Sequence, residues 1–429
     1  MTETFSRRVF IASAAVLLGL GAFAYGIAVE RRQLWPYDLT QSAYVAARSL
    51  MLYGELVPQG RRVHAPRGAA REVFKIYDAS AMADGYYVFV GWNNPRRVYA
   101  AWLYDRTGKL LHTWSWDYLS LDPDGPLNRV DIPHAFYVLA DGSIVAGFDH
   151  GDVVARLDAC SKPVWLKHAI YHHSFEAADD GTLWTWKGEG TPYGHYDSLL
   201  NFDPVTGKEL REIRLVDDVI KRMGPAAIVF GVRPDYRFQH FDRDPQDKET
   251  MDIFHGNDVE PLHAAMAPAF PMFEAGDLLI SLRTINLVAV IDPDDYRVKW
   301  WSTGPWIGQH DPDFVSDGKI SVYNNNTHRG RSEILKIDPA TREISNELFA
   351  GGTRFYSGYM GRHQYLPNGN VLIAVPEEGR AIEVSSNGRM VMQFNNIARG
   401  KQGYNDVVSN ALWLPADYFA AVPNCREPN

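Results

Sequence analysis

The sequence predicts an all-β fold, a six-bladed β-propeller preceded by an N-terminal transmembrane or signal helix. Two repeats predict the propeller. Six segments form a two-strand hairpin, whose turn reads Ile-Asp-Pro in two of them. Five segments begin with a histidine, continue through a Gly-bearing turn and end in an apolar β-run. Repeats spaced about 40–50 residues apart are typical of propeller blades. The five histidines are His134, His173, His263, His310 and His363.

The composition agrees with many short strands and limits the choice of function. The chain has 429 residues, of which 46% are hydrophobic, with 35 Gly, 12 Trp and 22 Tyr. Gly-rich and aromatic-rich chains suit strands and tight turns, and a repeat architecture uses this length as one domain. The formal net charge is −9 and there is no run of Lys or Arg. The sequence therefore predicts no nucleic-acid partner.

Residues 1–29 are predicted to be a signal or a membrane anchor. Ser6-Arg7-Arg8 precedes an uncharged run from Val9 to Val29. Paired arginines before an apolar segment indicate a twin-arginine export signal or an ordinary anchor with flanking arginines, and the run is long enough to span a bilayer. We favour an uncleaved anchor that holds the protein on the periplasmic side of the cell inner membrane. Cleavage after Ala24 is the alternative.

The rest of the chain divides into three parts. Residues 30–72 are predicted to contain a membrane-proximal helix, Ser42 to Tyr53, and a basic linker. Residues 73–420 form the propeller, and residues 421–429 form a C-terminal tail. The sixth inner strand is predicted at Val407–Leu414, which would close the ring by pairing with the first unit and so remove the exposed sheet edges.

Two features interrupt this pattern. An insertion at about 215–257 separates His173 from His263, and it contains an apolar helical piece followed by a polar segment, Arg233 to Glu249. Long insertions in compact domains are usually functional, so we expect a cap over one channel mouth, with a surface insertion as the alternative. Cys160 and Cys425 either form a disulfide that ties the tail to a blade or stay unpaired.

The repeated histidines predict a site. Equivalent positions of all blades face one central channel, so the imidazoles are expected to converge there. Metal binding is one use for such a cluster, but Asp311 and Asp313 are the only acidic residues close to the His310 motif. Nucleophilic catalysis is the other, because arginines near the blade starts would bind a tetrahedral anion. These arginines are Arg283, Arg329, Arg354 and Arg362. The sequence favours sulfuryl or phosphoryl transfer and predicts no metal and no cofactor.

At this point the chain resembles the bacterial arylsulfate sulfotransferases. The resemblance covers roughly residues 75–418 and is carried by Asp258 with His263, Leu279-Ile-Ser-Leu-Arg283, Val290-Ile-Asp-Pro, Gly308-Gln-His310-Asp and Leu366-Pro-Asn-Gly-Asn. It implies a six-bladed periplasmic propeller that moves a sulfuryl group from a phenolic sulfate to a phenol. It also implies that no nucleotide donor is needed and that the reaction is ping-pong through a sulfated histidine.

The resemblance assigns roles residue by residue. It implies that His310 is the nucleophile and that His263 and Arg283 bind the sulfuryl oxygens and help the phenolate to leave. It also implies that His173, with His172 as the alternative, is the remaining catalytic histidine of the channel. The predicted substrate-binding residues are His134, His172, His363, Arg354 and Tyr356. Tyr356 and its aromatic neighbours would stack on an aryl ring, or else belong to the ordinary core. The alternative function is a non-catalytic, membrane-anchored propeller that binds a ligand or protein partner as an assembly factor.

Overall fold

The computed structural model describes residues 3–32, 34–36, 62–66, 72–93, 96, 98–123, 133–148, 153–188, 197–230, 254–346, 348 and 352–425. The chain divides into two compact units, Met1–Gly60 and Arg61–Asn429. The predicted helix at Ser42 to Tyr53 and the polar segment of the predicted cap, Arg233 to Glu249, lie outside the described residues.

The first unit contains one long helix, Glu3–Arg32. Its segment Arg8–Val29 has 22 residues and is long and apolar enough, by length and composition, to cross a membrane. Its apolar side chains, such as Phe10 and Leu18, are exposed to solvent. The predicted N-terminal apolar helix is thus present. Its cleavage and its export route stay predictions.

The second unit is built from antiparallel strands. In chain order they are β1 Arg62–His64, β2 Phe74–Ile76, β3 Tyr86–Asn93, β4 Val98–Asp105, β5 Leu110–Trp116, β6 Phe136–Val138, β7 Ile144–Gly147, β8 Val153–Leu157, β9 Pro163–His168, β10 Ile170–Ala177, β11 Leu183–Gly188, β12 Ser198–Phe202, β13 Glu209–Arg214, β14 Gly256–Pro261, β15 Leu278–Leu282, β16 Leu287–Ile291, β17 Val298–Thr303, β18 His310–Phe314, β19 Ile320–Asn324, β20 Glu333–Ile337, β21 Ile344–Ser345, β22 Arg362–Tyr365, β23 Val371–Val375, β24 Arg380–Val384, β25 Met390–Asn395, β26 Tyr404–Asp406 and β27 Val408–Leu414. A short helix, Tyr118–Leu121, follows β5.

These strands form the six predicted blades. Blade 1 is β27-β3-β4-β5, blades 2 to 5 are the consecutive sets β6–β9, β10–β13, β14–β17 and β18–β21, and blade 6 is β22–β25 with β2 added outside β25. A separate two-stranded sheet joins β1 to β26. The first strand of each set is the inner one, except in blade 1, where the last strand of the chain takes that place.

The ring closes as predicted. Strand β27 runs antiparallel to β3, with Val408 opposite Gly91 and Leu414 opposite Tyr86. The C-terminal strand therefore supplies the inner strand that the first unit lacks, and no inner strand of the six blades is left unpaired.

The insertion begins with the predicted helical piece. Leu215–Val219 and Ile220–Phe230 are helical, with a break at Gly224, whose φ of 56° suits glycine. Val219 and Phe230 are fully buried in an apolar cluster that also contains side chains of blades 3 and 4. The helical piece thus contributes to the core.

The two cysteines form a disulfide, which decides between the two sequence alternatives. Cys160 lies in the turn between β8 and β9, and Cys425 lies in the C-terminal tail. The bond links positions 265 residues apart and ties the tail to blade 2. Nearby, Pro423 packs over Gly142, which has a positive φ and no room for a side chain.

A β-bulge recurs at the start of four inner strands. The register shifts lie between His172 and Glu176 in β10, between Gly256 and Asp258 in β14, and at corresponding places in β18 and β27. Beside them His173, His255 and Asp311 have φ values of 68°, 48° and 48°. Non-glycine residues adopt this conformation at a cost, and bulges re-aim side chains, so these bulges turn polar groups toward one place.

Candidate active site

Four imidazoles from four consecutive blades meet at one place, and we call them the imidazole cluster: His134, His173, His255 and His310. The ring centre of His173 lies 4.9 Å from that of His134, 5.2 Å from that of His255 and 6.2 Å from that of His310. His134 and His310 are also 6.2 Å apart. The structure thus brings together three of the five histidines of the sequence repeat and adds a fourth.

Hydrogen bonds fix which nitrogen of His310 is free to react. Its Nδ1 lies 2.8 Å from Asn325 Oδ1. The Asn325 amide nitrogen donates to the carbonyls of Ser357 and Met360, so its oxygen must face the histidine. Nδ1 therefore carries the proton and donates it to Asn325, while Nε2 keeps its lone pair. This is the tautomer that a nucleophilic Nε2 requires.

The surroundings keep His310 neutral. Burial lowers the pKa of His310 well below its usual value, and the neighbouring His134 and the Arg283 guanidinium lower it further. The Arg283 Nε lies 3.9 Å from the position that a Cβ on Gly308 would take, two residues before His310. Within the described residues, no carboxylate lies within ion-pair distance of Arg283. Its guanidinium is thus available to an anion beside His310.

Gln309 holds this turn against the next blade. Its side chain is fully buried, and Nε2 donates to Ser281 Oγ and to the carbonyls of Leu282 and Leu287. All three acceptors belong to blade 4, so Gln309 anchors the start of β18 to the strands that lead into Arg283. His310 and Arg283 are therefore positioned by one network.

A second chain of hydrogen bonds ends at His173. His172 Nε2 lies 3.1 Å from the Asp197 carboxylate, and His172 Nδ1 lies 2.7 Å from His173 Nδ1. Because the carboxylate only accepts, His172 donates from Nε2 and accepts at Nδ1, so His173 donates from Nδ1. Burial, followed by the other imidazoles, lowers the pKa of His173 well below its usual value. His173 Nε2 therefore carries a lone pair.

The fourth imidazole, His255, is a residue that the sequence analysis missed. It directly precedes β14, while His263 follows the end of that strand. The six residues of β14 span roughly 20 Å. His263 does not join the cluster: its Nδ1 lies 2.8 Å from Asp179, and it lines a cavity of about 470 Å³ at the other ends of the inner strands.

A local signal identifies His255. Three inner strands share a histidine followed three residues later by an acid, namely His173 with Glu176, His255 with Asp258 and His310 with Asp313. The predicted repeat was instead defined by the short distance in sequence from the histidine to the Gly-bearing turn before the next strand. Residues 262–277, which connect β14 to β15, place the Gly-bearing turn far from His255 in sequence. His263 therefore appeared to be the equivalent of the other repeat histidines.

His363 and Arg362 lie beside carboxylates rather than in the imidazole cluster. His363 Nδ1 lies 2.8 Å from Asp311 Oδ2, and its Nε2 lies 2.8 Å from Ser321 Oγ. Arg362 contacts the Glu176 carboxylate, and its Nε is 3.5 Å from Asp311 Oδ1. Two groups here have metal-ligand spacing, namely Asp311 with Asp313 and His363, and Glu176 with Asp258 and Asp311.

The remaining predicted site residues lie on the segment before β22. The Arg354 side chain is exposed, and its carbonyl accepts from Arg380. The Tyr356 hydroxyl accepts from the His328 amide, and the neighbouring Ser357 accepts from Asn325. Tyr356 is thus adjacent in sequence to Ser357, whose carbonyl fixes the Asn325 amide that bonds to His310. Its aromatic neighbours Trp306, Tyr323 and Phe355 are buried in apolar clusters.

Solved structures with a similar fold are distant. A protein of unknown function from Bacteroides caccae is 12% identical with a TM-score of 0.48, covering 77% of this chain and 98% of that one. TolB from Acinetobacter baumannii is 14% identical with a TM-score of 0.45, covering 77% and 67%. Virginiamycin B lyase from Staphylococcus aureus is 12% identical with a TM-score of 0.34, covering 62% and 70%. These likenesses support no functional conclusion.

Among curated proteins no sequence matches this chain significantly. A family model does match. The model described as Arylsulfotransferase (ASST) aligns with residues 136–397, which include the whole imidazole cluster except His134, together with Arg283. The match extends over more than half of the chain. The protein is therefore a member of the arylsulfotransferase (ASST) family.

Proposed function

We propose that the protein transfers a sulfuryl group from a phenolic sulfate ester to a phenolic acceptor by a ping-pong reaction, without a nucleotide donor, and that His310 carries the group between the two steps. The family supports arylsulfotransferase activity in general. The observation that carries the finer proposal is the tautomer of His310. Its Nδ1 proton is held by Asn325, so a neutral Nε2 is available beside Arg283.

The first step forms one bond and breaks one bond. His310 Nε2 attacks the sulfur of the aryl sulfate, the nitrogen–sulfur bond forms, and the bond from sulfur to the aryl oxygen breaks. The phenolate leaves with its electron pair. The imidazole becomes cationic, and the hydrogen bond from Nδ1 to Asn325 Oδ1 stabilises that charge. Sulfuryl transfer resembles phosphoryl transfer, so charge stabilisation and positioning by Arg283 and His255 supply most of the catalysis.

The second step frees His310, and the enzyme regains its starting state when His173 releases to solvent the proton that it accepts. The acceptor phenol loses its proton to His173 Nε2, and its oxygen attacks the sulfur while the nitrogen–sulfur bond breaks. Asp197 and His172 orient His173 and stabilise the charge that it gains. We assign to His255 the role that the sequence gave to His263. His134, as the fourth member of the cluster, binds the sulfuryl oxygens or the ring.

A direct assay tests this function. The detergent-solubilised protein is incubated with p-nitrophenyl sulfate and a phenol, and nitrophenolate release is followed. We expect release that depends on the acceptor, loss of release in His310→Ala, and a loss of roughly 10²–10³-fold in Arg283→Ala and His255→Gln. His168→Gln, at an exposed position on the outer strand β9, is the control and should behave like wild type.

Two results would contradict the proposal. The absence of release from wild type with any of several phenols would favour a ligand-binding propeller over an enzyme. A larger loss in His263→Gln than in His255→Gln would return the role to the residue that the sequence favoured.

The proposed location follows from the N-terminal segment. We propose that the helix Glu3–Arg32 anchors the protein in the inner membrane with the propeller in the periplasm, where a disulfide is stable. Spheroplasts treated with external protease should lose the propeller, and alkaline carbonate should leave intact protein in the membrane pellet. Recovery of the protein in the cytosol would contradict the proposal.

A further inference from the structure

Three carboxylates lie further along the strands that carry the imidazole cluster, and we call them the carboxylate trio: Glu176, Asp258 and Asp311. They belong to the adjacent inner strands β10, β14 and β18. One oxygen of each lies within 4.8 Å of one oxygen of each of the others. Asp258 and Asp311 are 1% and 5% exposed. Three carboxylates are thus held together, two of them buried and the Glu176 side chain partly exposed.

The charges of the trio are not balanced by the chain. Arg362 contacts Glu176 and Asp311, and among the described arginines and lysines it is the one placed against the trio, while the His363 imidazole also bonds to Asp311. When all three carboxylates are ionised, one guanidinium leaves two negative charges. The acids Glu260 and Asp313 lie on the same two strands, two residues beyond Asp258 and Asp311. Buried charge of one sign is unfavourable unless it is paired or coordinates a metal.

One oxygen of the trio lacks any partner within the described part of the chain. Asp258 Oδ2 is fully buried and makes no hydrogen bond there. The backbone carbonyl of the same residue accepts from Trp186 Nε1 at 2.9 Å, so the residue is held firmly in place. Asp258 therefore holds one buried carboxylate oxygen without a hydrogen-bond partner in a fixed position within the trio.

We propose that Glu176, Asp258 and Asp311 bind one divalent cation of the oxygen-preferring class, calcium or magnesium. Carboxylate oxygens without nitrogen or sulfur donors suit these ions, and a double positive charge would neutralise the trio with Arg362. This site differs from the sequence expectation that no metal is bound. It also stands apart from the proposed sulfuryl transfer, because it involves no member of the imidazole cluster.

The surroundings of the trio indicate how an ion reaches it and what the ion would do there. Glu176, Glu260 and Asp313 also line the cavity of about 470 Å³ at the other ends of the inner strands, so an ion can reach the trio from that side. The ion would join three inner strands whose bulges place His173, His255 and His310. Its expected role is to hold these strands in register below the imidazole cluster.

Metal content and stability test the proposal. The full chain is purified in detergent, treated with EDTA, passed into metal-free buffer and then titrated with CaCl₂ or MgCl₂. We expect about one bound ion per chain by elemental analysis, a lower melting temperature without metal, and its recovery with one of the two salts. The salt that restores the melting temperature at the lower concentration identifies the ion.

Variants locate the ion at the trio. Asp258→Asn and Glu176→Gln keep the side-chain shape but remove a charged ligand, and each should bind at least tenfold more weakly. Glu383→Gln is the matched control, because Glu383 is a fully buried carboxylate bound by Tyr87 and Asn370 elsewhere in the fold. It should bind the ion like wild type.

Terbium luminescence adds a readout that depends neither on enzyme activity nor on the folding of any single variant. Terbium replaces calcium and magnesium at oxygen sites, and Trp186 next to Asp258 should sensitise its emission. Trp186→Phe should weaken that emission and keep the metal-dependent melting shift. Wild type that holds neither calcium nor magnesium and shows no metal-dependent melting shift overturns the proposal, and so does equal binding by Asp258→Asn, Glu176→Gln and wild type.

Discussion

At the scale of single residues, hydrogen-bond partners decide what each imidazole can do. Asn325 cannot turn its amide without losing its bonds to the carbonyls of Ser357 and Met360, so it accepts from His310. The Asp197 carboxylate begins a second chain of hydrogen bonds, which runs through His172 to His173 and fixes the nitrogen that carries the proton in each ring. Chemically identical side chains thus receive different roles from partners that are remote in sequence.

The pKa of His310 leads to a prediction about pH. The donor half-reaction needs neutral His310, whose pKa lies well below its usual value because of burial, His134 and Arg283. The rate of nitrophenolate release in a single turnover should therefore stay level from pH 8 down to about 6.5 and fall only at lower pH. Asn325→Asp should move this fall to higher pH, because a carboxylate at Nδ1 favours the protonated imidazole.

The control for this experiment is the wild-type profile in the same buffers. A wild-type profile that already falls by half near pH 6.5, or an Asn325→Asp profile that coincides with it, would contradict the assignment of His310.

The chain from Asp197 leads to a prediction about the acceptor step. Asp197→Asn removes the charge that orients His172 and stabilises protonated His173, so proton removal from the acceptor should slow by roughly 10²–10⁴-fold. The release of nitrophenolate in the first turnover should change much less. Stopped-flow measurement of the first turnover against steady-state turnover separates the two. Equal slowing of both phases would show that Asp197 has only a structural role.

The sequence predicted some of these residues and not others. His310 and Arg283 were found because each lies in a short motif next to a strand. His255 was missed because the repeat was aligned on the turn that follows the inner strand, and the long connection before β15 moved that turn. Asn325 and Asp197 give no local signal, because each bonds to a histidine that is distant in sequence. Arg362 was expected to bind an anion, and it instead contacts the Glu176 and Asp311 carboxylates.

At the scale of elements, four of the six inner strands carry a bulge near their start that presents polar side chains toward the channel. Period-two alternation would send neighbouring side chains to opposite faces, whereas an extra residue changes which of them point inward. Strand boundaries and hairpin turns follow from local patterns, so the blades were predictable. The bulges were not, because nothing in the alternation marks them.

The inner strand β27 leads to a prediction about folding. A chain that ends after Gly403 lacks β26 and β27, leaves β3 as an open edge, and should not give a soluble, cooperatively unfolding propeller. A chain that ends after Ala420 keeps both strands and loses only the tail with its disulfide. It should stay folded with a lower melting temperature. Thermal unfolding followed by circular dichroism compares the two, and similar cooperative transitions in both would contradict the closure.

At the scale of the whole molecule, ring closure and the disulfide act on the same end of the chain. Strand β27 completes blade 1, and Cys425 then joins the tail to blade 2 across 265 residues. The number of blades could be predicted because each blade repeats a local pattern. The disulfide could only be offered as one of two alternatives, because the distance between two cysteines so far apart in sequence depends on the finished ring.

The whole ring also explains why the site can form. Blades 2 to 5 each supply one member of the imidazole cluster, so no single blade can form it. The imidazole cluster and the adjacent Arg283 therefore come together only in the closed propeller. The proposed chemistry rests on this arrangement, and in particular on His310.

The most direct measurement is mass spectrometry of the protein after incubation with p-nitrophenyl sulfate alone. With no acceptor present, the account predicts one sulfo group per chain on the peptide that contains His310, a matching burst of nitrophenolate, and loss of the group when a phenol is added. His310→Ala should show neither adduct nor burst. A turning-over wild type that is labelled at another residue, or a His310→Ala variant with a near-normal burst, would contradict the account.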